Sequence, residues 1–213
     1  MKVLGIAGSP RRGGNSETLL DRFLAGARDA GAQVTKSVAA DLDIQACDDC
    51  ERCWENERCQ TEDDYEEVCN EMLAADVVVV ATPLYFWNVP AQLKDIIDRS
   101  QCLWVRQFVV DESLPPSSEG HQMRRGVLLA VGGQPERHFE GVKLTTWAFF
   151  RVFNTAYWND LLLHDVDEQG AVEEHATALA RAYDLGYRSV TEPWEKIDMA
   201  KMPVGDDDEE EPE

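Results

Sequence analysis

At 213 residues the chain is long enough for one α/β domain with a full core and too short for two of ordinary size. Its 20 Lys and Arg stand against 41 Asp and Glu, a formal charge of −21; seven of the negatives fall in residues 206–213 and the remaining −14 is spread along the chain. Such a field repels phosphate backbones and anionic lipid, which argues against nucleic acid and membrane surfaces as partners, and the absence of any apolar run of spanning length points the same way.

In chain order, Lys2–Ala7 reads as a buried strand without the longer apolar region of a signal peptide, so the expected location is the cytoplasm. Ser16–Ala30 places Leu19, Leu20, Phe23, Leu24 and Ala27 on one helical face, with Gly31 as a stop. Gln33–Val38 alternates like an outer strand. Tyr65–Ala75 follows as a helix, Asp76–Ala81 as a buried strand, and Pro90–Gln101 as a helix with proline at its start. Leu103–Met123, with Pro115, Pro116, Ser117 and Ser118, reads as a long loop. Arg125–Val131 is the next strand, Thr145–Ala156 an aromatic helix, Leu161–His164 a weaker strand and Ala171–Tyr187 a final helix. Residues 1–190 are thus expected to form one domain. Residues 191–213 form a C-terminal extension whose acidic end cannot bury apolar area and is expected to be disordered.

Strands alternating with helices predict a doubly wound, five-stranded parallel sheet of flavodoxin-like order 2-1-3-4-5, with helices on both faces. Ligands of such sheets sit at the carboxyl ends of the strands. There the segment GSPRRGGNSETLL leads from the first strand into a helix. It lacks the lysine of a Walker A loop and the glycine spacing of a dinucleotide fingerprint. What remains is Ser9, Asn15, Ser16 and Thr18 as hydrogen-bond donors, with Arg11 or Arg12 as counter-charge, suited to one phosphate monoester such as that of FMN. The alternative is that Asn15 or Ser16 merely caps the helix and the glycines serve a turn.

The third main strand ends in ATPLYFWNVPAQLKDIIDR, with three aromatics at the same edge of the sheet. Together the two segments resemble the NADPH-dependent FMN reductase superfamily, over roughly residues 1–100. By that resemblance Ser9, Arg11, Asn15, Ser16 and Thr18 would hold the FMN phosphate and ribityl chain, and Pro83, Leu84, Tyr85, Phe86, Trp87 and Asn88 would line the isoalloxazine. Gly132 and Gly133, after the fourth strand, would approach the flavin edge, where glycine permits close contact. Exposed aromatics also mark subunit interfaces, and a homodimer or homotetramer is expected.

Cys47, Cys50, Cys53 and Cys59 form C-x2-C-x2-C-x5-C between the second strand and second helix. Such crowding in a reducing compartment favours metal or redox work over disulfides. The spacing is similar to the compact motif of the iron–sulfur flavoproteins, which implies a [4Fe–4S] cluster beside FMN; reduced thiols and zinc are the alternatives. Cys69 and Cys102 read as packed bystanders. The resemblance implies an FMN-dependent oxidoreductase passing electrons from NAD(P)H or ferredoxin through FMN to a small acceptor such as a quinone or flavin, with no indispensable protein acid or base. The rivals are a flavodoxin-like electron carrier without its own substrate and a zinc-stapled binding module.

Overall fold

The run Val77–Ala81 has no polar residue and no exposed side chain, because it is the middle strand of a sheet covered on both faces. The computed structural model describes residues 1–56, 58–136, 138–194 and 199–200. Its strands are β1 (Lys2–Ala7), β2 (Gln33–Val38), β3 (Val77–Pro83), β4 (Arg124–Val131) and β5 (Thr155–Leu163), all parallel in the order β2-β1-β3-β4-β5. The helices are α1 (Asn15–Asp29), α2 (Cys53–Asn56), α3 (Tyr65–Ala74), α4 (Ala91–Arg99), α5 (Gln101–Trp104), α6 (Glu140–Arg151), α7 (Ala171–Glu174) and α8 (Ala178–Thr191). Among the described residues no helix is long and apolar enough to cross a membrane.

Strand side chains alternate between two cores. Val3, Val77, Val79, Val127 and Leu129 pack with Leu19, Leu20 and Phe23 of α1 and Ala178, Ala182 and Leu185 of α8. Leu4, Ile6, Val78, Val80 and Leu128 pack instead with Val68 and Met72 of α3, Leu93 and Ile96 of α4, and the rings of Phe149, Phe150 and Phe153. On the first face α1 and α8 touch backbone to backbone. A Cβ on Gly26 would lie 2.0 Å from the Tyr183 carbonyl oxygen, and one on Gly186 would lie 1.9 Å from that of Phe23.

Four expectations are corrected. The aromatic helix is Glu140–Arg151, not Thr145–Ala156: the chain turns out through Asn154, at φ 53°, into the last strand. That strand is Thr155–Leu163 rather than Leu161–His164, so Tyr157 and Trp158 belong to it; as a sheet edge it carries Asn159 and Asp160 amid its apolar residues, and a register shift opposite Gly126 and Val127 breaks its alternation. The stretch Leu103–Met123 begins as helix, since α5 runs into a π-turn at Val105–Val109 before the chain becomes irregular. The last helix is two, divided where His175 is extended at ψ 118°. Of the C-terminal extension, Glu192–Trp194 packs on the domain: the Arg125 guanidinium donates to the Glu192 carbonyl at 3.1 Å, and the Trp194 indole N–H to that of Met123 at 3.2 Å. The acidic run at 206–213 lies outside the described residues.

Candidate functional site: a cleft at the strand ends and a cysteine pocket

The carboxyl ends of β1, β3 and β4 open into a cleft bounded by Ser9, Arg11, Asn15, Ser16, Pro83, Leu84, Tyr85, Gly133, Val166 and Asp167. The first loop is stiffened from within. Gly13 takes φ 64°, and its N–H donates to the Glu17 carboxylate at 2.7 Å. Burial raises the affinity of Glu17 for a proton, but the Gly13 N–H and the Lys36 ammonium at 3.0 Å outweigh it, so the carboxyl stays ionised below its usual range. Arg12 is occupied, lying 3.3 Å from Glu17 and 3.5 Å from Asp41. Arg11 is exposed and has no ion-pair partner among the described residues, which singles it out from the two candidate counter-charges.

Ser9 is buried and its hydroxyl accepts the Arg11 N–H at 3.1 Å, leaving its own O–H to donate. Ser16 is buried at the first turn of α1, where backbone N–H groups lack intrahelical partners, and Thr18 sits half-buried two residues further in, its N–H bonded to the Gly14 carbonyl at 3.0 Å. Asn15 is spent elsewhere: its amide donates to the Glu168 carbonyl at 2.8 Å and accepts the N–H groups of Gly170 at 2.9 Å and Val172 at 3.4 Å. It ties the first loop to the loop after β5 while bordering the cleft. An anionic group fits the remainder: a hydroxyl donor, helix-terminal amides and one unpaired guanidinium.

The wall begins at Pro83 and Leu84, whose N–H bonds the Val131 carbonyl at 2.8 Å. Tyr85 and Asn88 then exchange two backbone hydrogen bonds, 2.8 and 3.0 Å, around a two-residue turn in which Phe86 and Trp87 take φ 50° and 62°. Asn-Gly is the ordinary choice there; two bulky aromatics in left-handed backbone cost on the order of 1 kcal/mol or more each. Phe86 is fully exposed, while Trp87 leans on His138 with ring centroids 4.8 Å apart. Opposite, Gly132 and Gly133 follow β4. A Cβ on Gly133 would come 2.7 Å from an Asp167 carboxylate oxygen, so any larger residue here would have to displace the Asp167 side chain. The wall at Val166 and Asp167 went unread in the sequence, although the strand-end rule applied to the last strand would have pointed to it.

Cys47, Cys50, Cys53 and Cys59 line a second pocket with Trp54, Arg99 and Cys102. Cys47 and Cys50 are exposed, Cys53 and Cys59 half-buried. Two left-handed residues, Asp49 at φ 54° and Glu51 at φ 58°, kink the loop between them. Arg52 Nε donates to Cys50 Sγ at 3.3 Å and Arg99 Nε to Cys59 Sγ at 3.2 Å. Four sulfurs with two cationic donors suit a thiolate-bound iron–sulfur cluster in chemistry. They do not yet converge: among the described residues no three Cys, His, Asp or Glu are grouped as ligands of one ion. Of the two bystanders, Cys69 is pushed up to about 12, first by burial and then by Cys102. Cys102 is buried against the Tyr65 hydroxyl, at 3.6 Å, and is a wall of the cysteine pocket.

Arg99 was visible in the sequence only as the end of LKDIIDR; the structure brings it to the cysteines from the far end of α4. That helix starts just beyond the aromatic turn, so its nine residues, about 13 Å, separate the two sites.

The family model for NADPH-dependent FMN reductase matches residues 1–151. An iron-sulfur flavoprotein of Methanosarcina thermophila is 34% identical over 133 residues, 62% of this chain and 64% of that protein. One from Methanocaldococcus jannaschii is 38% identical over 103 residues, 48% of this chain and 53% of its own length. The chain thus spans between half and two thirds of these relatives. Among solved structures, the azoreductase AzrA superposes with a TM-score of 0.64 at 17% identity, covering 88% of this chain and 100% of that one. An NAD(P)H:quinone oxidoreductase from Methanothermobacter marburgensis gives 0.62 at 19%, covering 88% and 95%. These two likenesses are of fold. Matched over residues 1–151, and carrying the fold and the strand-end cleft described above, the chain belongs to the NADPH-dependent FMN reductase family.

Proposed function

We propose that the chain is an FMN-dependent oxidoreductase that draws electrons from NAD(P)H, or from a ferredoxin by way of a [4Fe–4S] cluster on Cys47, Cys50, Cys53 and Cys59, and delivers them to a small acceptor such as a quinone or a free flavin. The observation that carries this reading is the pairing, in one cleft, of an unpaired Arg11 beside the α1 N-terminus with an apolar and aromatic wall. Bound FMN supplies the ability to accept a hydride or single electrons and to pass them on.

In this reading Ser9, Arg11, Ser16, Thr18 and the first amides of α1 hold the phosphate and ribityl chain, and Glu17 stays harmless to the anion because Arg12 and Lys36 neutralise it. Asn15 acts one step back, fixing the loop after β5. Pro83, Leu84, Tyr85, Phe86, Trp87 and Asn88 shield the ring from water on one side, and Gly132 and Gly133 admit its edge on the other. The strained aromatic turn supports this reading, since Asn-Gly would form the same turn without the cost. Exposed Trp54, Trp104 and Phe108, with successive ring centroids 6.3 and 6.4 Å apart, support a homodimer or homotetramer built over the cysteine pocket.

The test is anaerobic purification followed by an absorption spectrum, iron and sulfide analysis, and NAD(P)H oxidation with menadione or FMN as acceptor. Flavin bands with turnover are expected. Flavin bands with negligible turnover would favour the electron carrier, and protein that binds no flavin would refute the reading.

A further inference from the structure

Among the described residues, Arg99 is the arginine near the cysteine loop whose donors are all spent inside the protein. Its side chain is 2% exposed, and all five N–H groups have partners. Nη1 donates to the Gln45 carbonyl at 2.8 Å and to Asp63 at 2.5 Å, Nη2 to the Thr61 carbonyl at 3.3 Å and to Asp63 at 3.1 Å, and Nε to Cys59 Sγ at 3.2 Å. The guanidinium also lies 5.0 Å from the Tyr65 ring centre. Gln45 stands two residues before Cys47 and Thr61 two residues after Cys59, so one planar group joins both ends of the loop that carries all four cysteines. Asp63 completes the joint by accepting the Gln45 N–H at 3.0 Å and the Tyr65 N–H at 3.1 Å.

A merely structural arginine would account for Asp63 and the two carbonyls. It would not account for an Nε aimed at a sulfur, with the charge held at that sulfur by a buried carboxylate. A lysine has no fork with which to make these contacts together. We propose that Arg99 is the positioning residue of the cysteine loop: it clasps the loop's ends so that four sulfurs can assemble around an iron–sulfur cluster, and it places a fixed positive charge on the Cys59 ligand. The proposal rests on the reading that these cysteines take a cluster. Positive charge and an N–H bond at a ligand sulfur favour the more negative, reduced cluster, so Arg99 raises its reduction potential, and Asp63 moderates that effect.

The test uses the full chain, reconstituted without oxygen with ferrous iron and sulfide, as wild type, Arg99→Lys and Asp63→Asn. Iron, sulfide and FMN per chain are measured, with the cluster midpoint from an EPR-monitored titration and amide exchange across residues 46–60 before reconstitution. Arg99→Lys is expected to keep its FMN, to exchange faster across the loop, to bind iron on the order of tenfold more weakly, and to show a more negative midpoint. Asp63→Asn, which leaves Nε on Cys59 but removes the compensating charge, is expected to move the midpoint the other way. Should Arg99→Lys lose FMN as well, Asp63→Asn decides by the sign of its shift. Iron content, exchange and midpoint all at wild-type values in either variant would overturn the proposal. Wild-type protein that takes up no iron would overturn the underlying cluster reading instead.

Discussion

The two faces of the sheet are built to different tolerances. On one, α1 and α8 meet through Gly26 and Gly186 with no room for a methyl group, and the loop at 9–14 leads into the N-terminus of the helix so held. On the other, aromatic rings and Met72 fill the space beneath α3, α4 and α6, and the cysteine loop is joined at its base by a single buried ion pair. The first loop is thus shaped before a ligand arrives. The second is fixed at its two ends, where Arg99 and Asp63 hold Gln45 and Thr61.

The largest effect should come from breaking the tight face. Gly186→Ala places a Cβ against the Phe23 carbonyl, and backbone has nowhere to move; we expect a loss of at least about 3 kcal/mol in urea unfolding. A loss under 1 kcal/mol would mean that the helices can part freely. Next, Asn15→Leu removes three hydrogen bonds between the first loop and residues 168–172 and leaves buried partners unpaired. We expect about 2–3 kcal/mol of destabilisation, with FMN affinity falling by an order of magnitude, read by flavin fluorescence; unchanged affinity would show that the two loops act independently.

A smaller effect sharpens the other side. Asp76, at the head of β3, accepts the Ser117 and Ser118 hydroxyls and the N–H groups of Lys2 and Glu119, tying down the irregular chain beyond the π-turn. Burial pushes its pKa up, but those donors prevail and hold it below the ordinary value. A carboxyl depressed on folding stabilises fully above its unfolded pKa, about 3.9, and loses that contribution as pH falls through the folded value. Asp76→Asn should therefore cost about 1–2 kcal/mol at pH 7, and the gap between its unfolding midpoint and the wild type's should begin to narrow as pH falls below about 4 and close as pH passes the lower folded value; a gap that widens on acidification would contradict this sign. The smallest effect is at the turn: replacing Phe86 and Trp87 by Asn-Gly relieves two left-handed aromatics at the loss of the His138 contact, for a net change within about 1 kcal/mol. Thermal stability should hardly move while turnover with menadione falls. Unchanged turnover would remove the turn from the acceptor site.

The buried strands β1, β3 and β4 were legible because both faces of the sheet are covered, which leaves unbroken apolar runs in the sequence. β5 was only half legible for the opposite reason: an edge strand with Asn159 and Asp160 and a register shift shows neither a run nor an alternation. The loops at 9–16 and 83–88 could be placed because each directly follows a strand end. What Asn15 does could not be read, since its partners lie more than 150 residues away and local spacing describes only a cap. Arg99 was hidden in the same way: helical periodicity gives it no special position, and its meaning comes from a carboxylate and a sulfur reached through the tertiary fold.

The knot of contacts around Asn15 also sets a schedule. Ser9, Arg11 and Ser16 on one side of the cleft are made long before Val166 and Asp167 on the other, and Asn15 joins the two sides through residues 168–172, beside the Asp165–Gln134 and Val166–Gly132 backbone bonds. At ribosomal speeds the intervening 150 residues take on the order of ten seconds or more. During that interval α1 has no α8 to lie on and its apolar face is bare. The cleft is therefore complete only once its two distant halves have both been made and have met.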